Sequence, residues 1–555
     1  MAKASQTADV TLHYSLFDLP TAQHKAGLAG LVVLINSMRQ RHLGPLPVVS
    51  DLTATTVTFK VSQASLQVVF NDLYDAELRE IESKTKWKGK DPKREKVIEV
   101  TDPKTGKKKK TKLLVYDAVV PKASFLAHHY PGDENGWLKL WRDMLWNTLR
   151  GRPTTRLVYE ERVQKKPSGA AVTAWKELEQ FSNNTKNGRS VNGEVPSSLF
   201  IGAQAVNAER VPFSGRVDQN LLLHFWPLTA LIFVPEVIDR EGNGEFEGYV
   251  VSIPEVSDLE EFCDILPQTL AGLDPQMRGY RPRASIIDLP AEGGLEFFRH
   301  LAQISQQKAA SKELKYSISA IELFHLVKQG NNIKTLMAER IVPRPGLLGQ
   351  YEGIRSSCRN PFFKSQLIIN LLRQDDWYEG FTQLFAVYPW EFFVRSENTP
   401  PTLPFFSFDL RTKFDSLAEE FQLQQEAYAM AENTTPKPQS LERRIYEMVG
   451  AYVRYKTEAK SGFKWADFKD KKTAEGRMAV PSEYVQSRQK VCADVFLAMR
   501  SRREQDFLEY FAGTICSVPQ FLPPDDYVFV SQALLEEGGW EKVKALSMLA
   551  VAAHS

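Results

Sequence analysis

Residues 22–41 carry the pattern that most restricts how this chain can fold. Their spacing predicts an α-helix whose apolar side chains nearly surround its axis, so other elements must cover it on most sides. Strand-like runs at Thr11–Leu16 and Thr55–Val61 and a helical pattern at Leu66–Ile81 accompany it. This β-α-β-α order predicts a sheet packed against a buried helix. The apolar positions of the helix are Ala26, Leu28, Ala29, Leu31, Val32, Leu34, Ile35 and Met38.

The size and composition of the chain predict a globular protein with more than one domain. Its 555 residues are too many for one ordinary core. The formal net charge is only +2, so a nucleic-acid binder would have to show local clusters of charge. Four cysteines without a CxxC pair argue against a zinc ribbon and a disulfide framework. Without a secretory leader or an apolar run of roughly 20 residues, we expect a cytoplasmic protein that does not contact a membrane.

The second half of the sequence changes from mixed patterns to helical ones. A β-hairpin is predicted where two strand-like runs, Thr229–Val237 and Gly248–Ile253, flank a turn-rich stretch. From about residue 295 the sequence pattern is mostly that of helices. We therefore predict an α+β fold, with a mixed α/β body containing β-hairpins over residues 1–405 and a C-terminal four-helix bundle over 406–555. The helical patterns of the bundle are residues 410–430, 440–459, 481–513 and 525–553.

A basic stretch from Lys84 to Lys112 is the first candidate for binding nucleic acid. It carries 13 positive and 4 negative side chains, and two strand-like runs bracket an Asp-Pro-Lys-Thr-Gly turn. This pattern predicts a β-hairpin with a lysine-rich tip that could neutralise phosphates. The alternative is a solvent-exposed hairpin whose lysines serve only to keep it soluble. The candidate phosphate contacts are Lys107, Lys108, Lys109 and Lys110.

A polar stretch, Ser182–Ser198, is the second candidate and reads as a loop. Asparagine and arginine side chains are suited to reading base edges, because they bond adenine and guanine in a bidentate manner. A plain connecting loop is the alternative. The candidate residues are Asn183, Asn184, Lys186, Asn187 and Arg189. Upstream of this loop, the three tryptophans of the helical segment 137–150 are expected in the core.

The third candidate lies in the C-terminal region, where charge is unevenly distributed. Residues 437–503 carry 16 basic and 8 acidic side chains, whereas the remainder from Glu504 has a net charge of −6. Basic residues alternate there with Tyr446, Tyr452 and Tyr455, an arrangement that allows stacking on unpaired bases. Packing of these tyrosines into a helical core is an equally weighted alternative. The candidate basic residues are Arg443, Arg444, Arg454 and Lys456.

The sequence contains none of the local motifs that we sought for catalysis. It has no GxxxxGK[ST] phosphate loop and no HExxH zinc motif, and the one adjacent histidine pair, His128-His129, precedes a Pro-Gly turn. We therefore expect no enzymatic activity, no cofactor and no bound metal. A metal-dependent nuclease whose ligands come from distant segments stays open, because spacing along the chain does not test it.

Two blocks of the sequence resemble a known family. LPTAQHKAGLAGL at residues 19–31 resembles the opening of the MYXAN-type large-subunit family of type I CRISPR systems, which is grouped with type I-B. WLKLWRDMLW at residues 137–146, which continues to Leu149-Arg150-Gly151 and Pro153, is similar to another block of that family. Chain length and the two-part layout also fit.

This resemblance implies a subunit of a crRNA-guided surveillance complex (Cascade), a ribonucleoprotein of antiviral defence, with no chemistry of its own. The N-terminal body would recognise the protospacer-adjacent motif in double-stranded DNA and help open it, and the C-terminal bundle would stabilise the R-loop. The implied partners are target DNA, crRNA, the backbone and other Cascade subunits, and a helicase–nuclease. The family has no fixed motif-reading signature, so the base-reading residues above are chosen on physical grounds.

Two other roles compete with this one. The same subunit could serve a CRISPR-associated transposon, which only neighbouring genes would reveal, or the chain could be a scaffold that does not contact nucleic acid. In related systems the C-terminal bundle is also made separately by internal translation. Met430 would start such a product of 126 residues.

Overall fold

The computed structural model describes residues 9–87, 89–101, 108–130, 136–151, 153–185, 191–196, 198–202, 213–308, 317–330, 332–432, 440–472, 478–518 and 524–555. The chain divides into two compact units. The first contains the residues up to Glu236 together with Phe246–Arg344, and the second contains Val237–Glu245 and Pro345–Ser555. The fold class predicted from the sequence, α+β with a helical C-terminal region, is confirmed. The compact units separate near residue 345, and a functional division at 405/406 stays a prediction.

Short strands and helices alternate from residue 9 to residue 344, a range that includes Val237–Glu245 of the second unit. The strands are β1 (Val10–Ser15), β2 (Val48–Ser50), β3 (Thr56–Val61), β4 (Ala76–Ser83), β5 (Arg94–Thr101), β6 (Lys108–Pro121), β7 (Asn192–Val195), β8 (Phe213–Arg216), β9 (Leu231–Ile238), β10 (Gly244–Phe246), β11 (Tyr249–Val256), β12 (Met277–Arg278), β13 (Arg281–Pro282), β14 (Ile286–Ile287), β15 (Ile318–Gln329) and β16 (Asn332–Ile341). The helices are α1 (Ala22–Gln40), α2 (Gln63–Leu73), α3 (Ser124–His129), α4 (Gly136–Asn147), α5 (Leu157–Val163), α6 (Gly169–Thr185), α7 (Val217–Asn220), α8 (Leu259–Ala271) and α9 (Glu292–Lys308).

Helix α1 lies at the centre of the first unit, as its apolar pattern predicts. It contacts β11, α8, α3 and the short 3₁₀ turns Leu221–His224 and Trp226–Leu228. Gly27 and Gly30 permit this approach, because a Cβ at either position would overlap a backbone carbonyl, that of Leu222 or that of Phe225. Thr21 caps the helix by accepting a hydrogen bond from the backbone N–H of His24. The helix is therefore enclosed on most sides.

Antiparallel strands form the sheets of this unit. β1, β3 and β2 make one sheet, and β4, β6 and β5 make a second. The largest sheet has six strands in the order β10-β9-β11-β15-β16, with β14 pairing in parallel with β9. The hairpin predicted around residues 239–244 is confirmed, since Phe233 in β9 lies opposite Val250 in β11. Asp239 accepts hydrogen bonds from the backbone N–H groups of Glu241 and Asn243, both at 2.8 Å.

Two expectations about element type in the first unit are wrong. The reading of residues after 295 as mostly helical missed β15 and β16, whose strand identity depends on pairing with β11 and with each other. The predicted helix Leu66–Ile81 ends at Leu73, and β4 begins at Ala76 because it pairs with β6. In both cases partners distant in sequence decide the conformation.

The second unit is made of helices around an aromatic core. Its rings include Phe363, Phe385, Phe393, Phe406 and Phe496, which pack mainly edge to face. The apolar helix α18 contacts each of α12 to α17 and is buried along nearly its whole length. The helices are α10 (Leu347–Ser357), α11 (Pro361–Arg373), α12 (Phe381–Val387), α13 (Phe406–Glu432), α14 (Leu441–Ser461), α15 (Ser482–Arg500), α16 (Glu504–Gly513), α17 (Pro524–Leu535) and α18 (Gly539–His554).

The count of four helices after residue 405 is corrected to six in the described part of the chain. The pattern 481–513 is two helices, α15 and α16, separated by a turn at Ser501. The pattern 525–553 is also two helices, since α17 ends at Leu535 and Gly538, with a φ of 71°, is the N-cap residue of α18. Among the described helices, none is long and apolar enough to cross a bilayer.

Candidate nucleic-acid interface

The lysine-rich hairpin of the first unit has the predicted pairing. β5 and β6 are antiparallel, with Thr101 opposite Lys108 and Glu99 opposite Lys110. The backbone of Lys108 and Lys109 belongs to β6, and Lys110 is exposed on the same strand. Lys107 lies outside the described residues. The hairpin therefore brings a run of consecutive lysines to its tip end.

Carboxylates from neighbouring strands reduce the positive charge at the base of this hairpin. Lys93 lies between Glu80 at 3.0 Å and Asp117 at 3.1 Å. Glu80 also accepts a hydrogen bond from Arg94, and Glu82 pairs with Lys96. Glu80 and Glu82 on β4 and Asp117 on β6 all lie outside residues 84–112, so the charge count along the sequence did not include them. The net charge of +9 counted along the sequence therefore overstates the positive charge at the base of the hairpin.

The polar loop Ser182–Ser198 is shorter than expected. Asn183 and Asn184 belong to the last turns of α6, so their assignment to a loop is wrong. The chain forms β7 from Asn192 and pairs it with β8. Lys186, Asn187 and Arg189 lie outside the described residues. Helical propensity of the preceding sequence carries the helix further than the asparagine-rich composition suggests.

A cavity of about 290 Å³ lies beside this segment, between α6, β7 and α7. Asn220 lines it and donates hydrogen bonds to the backbone carbonyls of Gly193 and Gly215, at 3.0 and 3.1 Å. Glu177 and Glu194 also line the cavity. Two carboxylates at its wall make it unsuited to a phosphate group.

Two of the three tryptophans of α4 are core residues, as predicted, and Trp146 is half-buried. Trp137 and Trp141 are buried, and their indole N–H groups donate to the carbonyls of Asp274 at 3.0 Å and Pro227 at 2.7 Å. Trp146 packs edge to face on Tyr159 and carries the guanidinium of Arg156 over its ring. The helix therefore presents no tryptophan platform to a base.

The structure corrects one of the basic residues predicted in the second unit. Arg444 is only 2% exposed, and its guanidinium lies 4.1 Å from the ring centre of Phe529, so it does not face a nucleic acid. Arg454 and Lys456 are exposed on α14. Arg443 is accessible but forms ion pairs with Glu447 at 2.8 Å and Asp415 at 3.6 Å. Residues adjacent in sequence point to different faces of a helix, so the alternation of basic residues and tyrosines did not show which of them are exposed.

The tyrosines of α14 are mostly core residues. Tyr446 is stacked between Phe414 and His554, with centroid distances of 4.7 and 4.3 Å. Tyr452 is buried, whereas Tyr455 is 40% exposed. Of the two alternatives, packing into the helical core is therefore confirmed for Tyr446 and Tyr452. Of the three, Tyr455 has the accessible ring.

The tertiary fold brings together a cluster of arginines that no local sequence pattern predicts. We define it as Arg395, Arg411, Arg454 and Arg488, which come from the segment before α13 and from α13, α14 and α15. Burial lowers the pKa of Arg488, and the nearby Arg411 and Arg395 lower it further. Burial also lowers the pKa of His554 to about 4, with Arg411, Arg488 and Arg454 acting in the same direction. Arg411 acts on both of these groups and Arg488 acts on His554, which places the four arginines in one region of the second unit. The carboxylates of Asp415 and Glu458 belong to the same region, because they act on the neighbouring Tyr446 and Tyr484.

The contacts described for these four side chains are with neutral groups. Arg411 donates to the backbone carbonyl of Ser407 at 3.1 Å. Arg395 lies over the ring of Phe405 and Arg454 over that of Trp465. The Nε atom of Arg488 is buried and has no hydrogen-bond partner in the described part of the structure. Guanidinium groups with contacts of this kind are suited to an anion such as a phosphate.

Within the described residues, no group of three or more His, Cys, Asp or Glu side chains is placed to hold a metal ion. Burial, followed by the neighbouring His128 and Arg41, lowers the pKa of His129 to about 4. The histidine pair therefore contains one neutral, half-buried ring.

Comparison with protein families gives two consecutive matches. The model described as Type I-B CRISPR Cas8b N-terminal domain matches residues 46–311, and that described as Type I-B CRISPR Cas8b C-terminal domain matches residues 318–554. No curated protein sequence matches the chain. Two matches in this order define the class of the chain, a large subunit of a CRISPR complex. The chain belongs to the type I-B CRISPR Cas8b family.

Proposed function

We propose that this large subunit recognises the protospacer-adjacent motif in double-stranded DNA, helps to open the duplex, stabilises the R-loop and helps to recruit the helicase–nuclease. It acts in the cytoplasm as part of a crRNA-guided complex with the backbone and other Cascade subunits. The observation that carries the proposal is the arginine cluster of the second unit. In the part of the chain that the structure describes, the hydrogen bonds and ring contacts of these four side chains are with neutral groups, which suits them to contact a phosphate backbone.

The two units would divide this work. The lysines at the tip end of the β5–β6 hairpin, Lys107 to Lys110, and the residues from Asn183 to Arg189 would contact duplex DNA. The arginine cluster, with Lys456, would hold the backbone of the displaced strand. Both contacts depend on cations, so binding should weaken steeply as salt concentration rises.

The proposal includes no catalytic step for this chain. Thiol chemistry is disfavoured, because burial raises the pKa of Cys358 to about 11 and those of Cys492 and Cys516 to about 12. Burial likewise raises the pKa of Cys263. A thiol with such a pKa stays protonated at neutral pH and is a poor nucleophile. DNA cleavage would belong to the recruited helicase–nuclease.

The test is DNA binding by the reconstituted crRNA complex with and without this chain. The targets are duplexes with randomised bases beside a matched protospacer. We expect selection of particular bases only when the chain is present, and affinity that falls with rising salt. An unchanged base preference after removal of the chain would overturn motif recognition.

A variant of the arginine cluster tests the second half of the proposal. Arg454→Gln with Arg411→Gln should weaken target binding and make it less dependent on salt, with the salt slope falling by about one for each phosphate that the variant no longer neutralises. Lys328→Gln on β15 removes a cation of the other unit and serves as the control. Equal binding by the cluster variant and the control would contradict the proposed contact.

A further inference from the structure

Two exposed phenylalanines stand at the start of α13. Phe405 is 43% exposed and Phe408 is 46% exposed. The backbone N–H of Phe408 donates to the carbonyl of Phe405 at 3.2 Å, so the two residues lie one turn apart. Side chains three residues apart on a helix are neighbours on its surface. Neither phenylalanine was a candidate in the sequence, because single exposed apolar residues are common.

Each of these rings carries an arginine. The guanidinium of Arg395 lies 4.2 Å from the ring centre of Phe405, and that of Arg359 lies 4.7 Å from the ring centre of Phe408. Arg395 and Arg359 are themselves exposed. A guanidinium is planar, so once it lies on a ring its outer face remains open to a further flat group.

Buried polar contacts fix the segment that carries Arg359. The carboxylate of Asp409, one residue after Phe408, accepts hydrogen bonds from the backbone N–H groups of Arg359 at 2.8 Å and Asn360 at 2.6 Å. Asn360 donates to the carbonyl of Pro404 and caps α11 through the N–H groups of Phe362 and Phe363. Arg359 is thereby anchored beside the helix turn that carries Phe408.

The two arginine–phenylalanine pairs adjoin the arginine cluster, because Arg395 belongs both to the pair with Phe405 and to the cluster. Beyond it, Arg454 lies over Trp465, and Lys456 lies 5.9 Å from the ring centre of the exposed Tyr455. Alternating cations and aromatic rings suit a ligand that alternates phosphates and flat bases. An acidic peptide would use the cations but has no need of the rings.

We infer that Phe405–Arg395 and Phe408–Arg359 form a stacking site for unpaired bases of single-stranded nucleic acid. The inference rests on the proposed function only in taking nucleic acid as the partner of the second unit. It adds residues outside the predicted sites and a selectivity: the surface should prefer a single strand to a duplex, whose bases are already stacked on one another.

The experiment uses the full chain and fluorescein-labelled oligonucleotides of one length: oligo(dT), oligo(rU), a duplex, and an abasic strand with the same phosphates. Anisotropy should show tighter binding of oligo(dT) and oligo(rU) than of the abasic strand. Phe405→Leu with Phe408→Leu should weaken oligo(dT) binding about tenfold, and abasic binding hardly at all. Arg395→Lys keeps the charge but removes the planar group, so it should cost about two- to fivefold on oligo(dT).

Phe17→Leu, at an exposed phenylalanine of the first unit, is the matched control and should bind as the wild type does. Thermal unfolding of each variant checks that the fold is intact. Equal weakening of oligo(dT) and abasic binding by the phenylalanine variant would overturn base stacking. Equal weakening of oligo(dT) and duplex binding would do the same, because the first unit, which is proposed to contact duplex DNA, is unchanged in that variant. Displacement of oligo(dT) by polyglutamate as readily as by unlabelled oligo(dT) would assign the surface to an acidic protein and overturn the inference.

These assays contain no crRNA, no other subunit and no motif. Failure of motif selection in the reconstituted complex would therefore count against the proposed function and not against the stacking site. A phenylalanine variant that weakens oligo(dT), abasic and duplex binding equally in the isolated chain would count against the stacking site alone.

Discussion

The imidazole of His554 lies flat on the phenol ring of Tyr446, with the two ring centres 4.3 Å apart and the planes inclined by 22°. The Nε2–H of the same imidazole donates to the backbone carbonyl of Tyr446 at 3.0 Å. This contact joins the end of the central helix α18 to α14 beneath the arginine cluster. The first two predictions below, on stability at acidic pH and on substitution of Gly450, depend on this contact.

The first prediction concerns stability at mildly acidic pH. Burial and three nearby arginines lower the pKa of His554 to about 4, from a value near 6.5 in an unfolded chain. The unfolded state therefore binds the proton more readily, and the stabilisation present above pH 6.5 is lost as pH falls toward 4. The loss approaches the order of 3 kcal/mol for a shift of this size.

Urea unfolding of the wild type and of His554→Gln between pH 7.5 and 4.5 measures this effect. The difference in unfolding free energy between the two proteins should shrink as pH falls, because only the wild type has the titrating imidazole. Parallel pH curves for the two proteins would show that His554 does not titrate in this range.

A second prediction uses the space beside His554. A Cβ at Gly450 would lie 2.7 Å from atoms of the His554 ring, so Gly450→Ala should destabilise the second unit by about 1–3 kcal/mol. Gly353 on α10 has no heavy atom within 4 Å of an added Cβ. Gly353→Ala should therefore stabilise by about 0.5–1 kcal/mol, because alanine is the better helix former. Two changes of the same sign in denaturant unfolding would refute this explanation.

The third prediction separates two adjacent arginines on α14. Arg444 is buried against Phe529, so Arg444→Ala should cost about 2 kcal/mol of unfolding free energy because its packing is removed. Arg443 makes partly exposed ion pairs, and Arg443→Ala should change stability by about 0.5 kcal/mol or less. Chemical denaturation of the two variants gives the comparison, and a larger effect at Arg443 would count against the assigned burial.

The fourth prediction concerns an internal translation product from Met430. Met430 lies near the end of α13, so the fragment would lack the aromatic residues that pack on its remaining helices. Phe414 stacks on Tyr446, and Phe385 packs on Phe496 at 5.1 Å. We expect residues 430–555 alone to bind a hydrophobic dye and to melt without cooperativity.

Circular dichroism and dye binding on the purified fragment test this expectation. A sharp, cooperative melt of the isolated fragment would contradict it. Mass spectrometry of the purified complex is the companion measurement. If no C-terminal fragment of that size is found, internal initiation at Met430 does not occur in the complex.

Local patterns predicted a large part of the fold. The buried α1, the turn at Asp239, and the core position of Trp137 and Trp141 were all accessible because hydrophobic period and turn chemistry act within a few residues. Local patterns did not predict where one helix ends and the next begins within the longer helical stretches. The break between α17 and α18, for example, where Gly538 is the N-cap of α18, falls in a stretch whose apolar residues continue on both sides.

The candidate interface was predicted less well than the fold. Arg454 and Lys456 were identified as exposed cations, but Arg444 beside them is buried. Arg395, Arg411 and Arg488 were absent from the candidate set, since each stands in a different segment with no pattern of its own. Counting charge along the sequence also overlooked Glu80, which reaches Lys93 and Arg94 from another strand.

The sequence by itself determined that the chain has a mixed α/β part and a helical part, that α1 is enclosed and that the C-terminal region is rich in cations. These are consequences of local periodicity and composition. Only the tertiary structure decided that β15 and β16 are strands, which lysines are neutralised, which tyrosines are accessible and which arginines meet around His554. The physical reason is that pairing, burial and electrostatic fields depend on which distant segments come into contact, and spacing along one chain does not record those contacts.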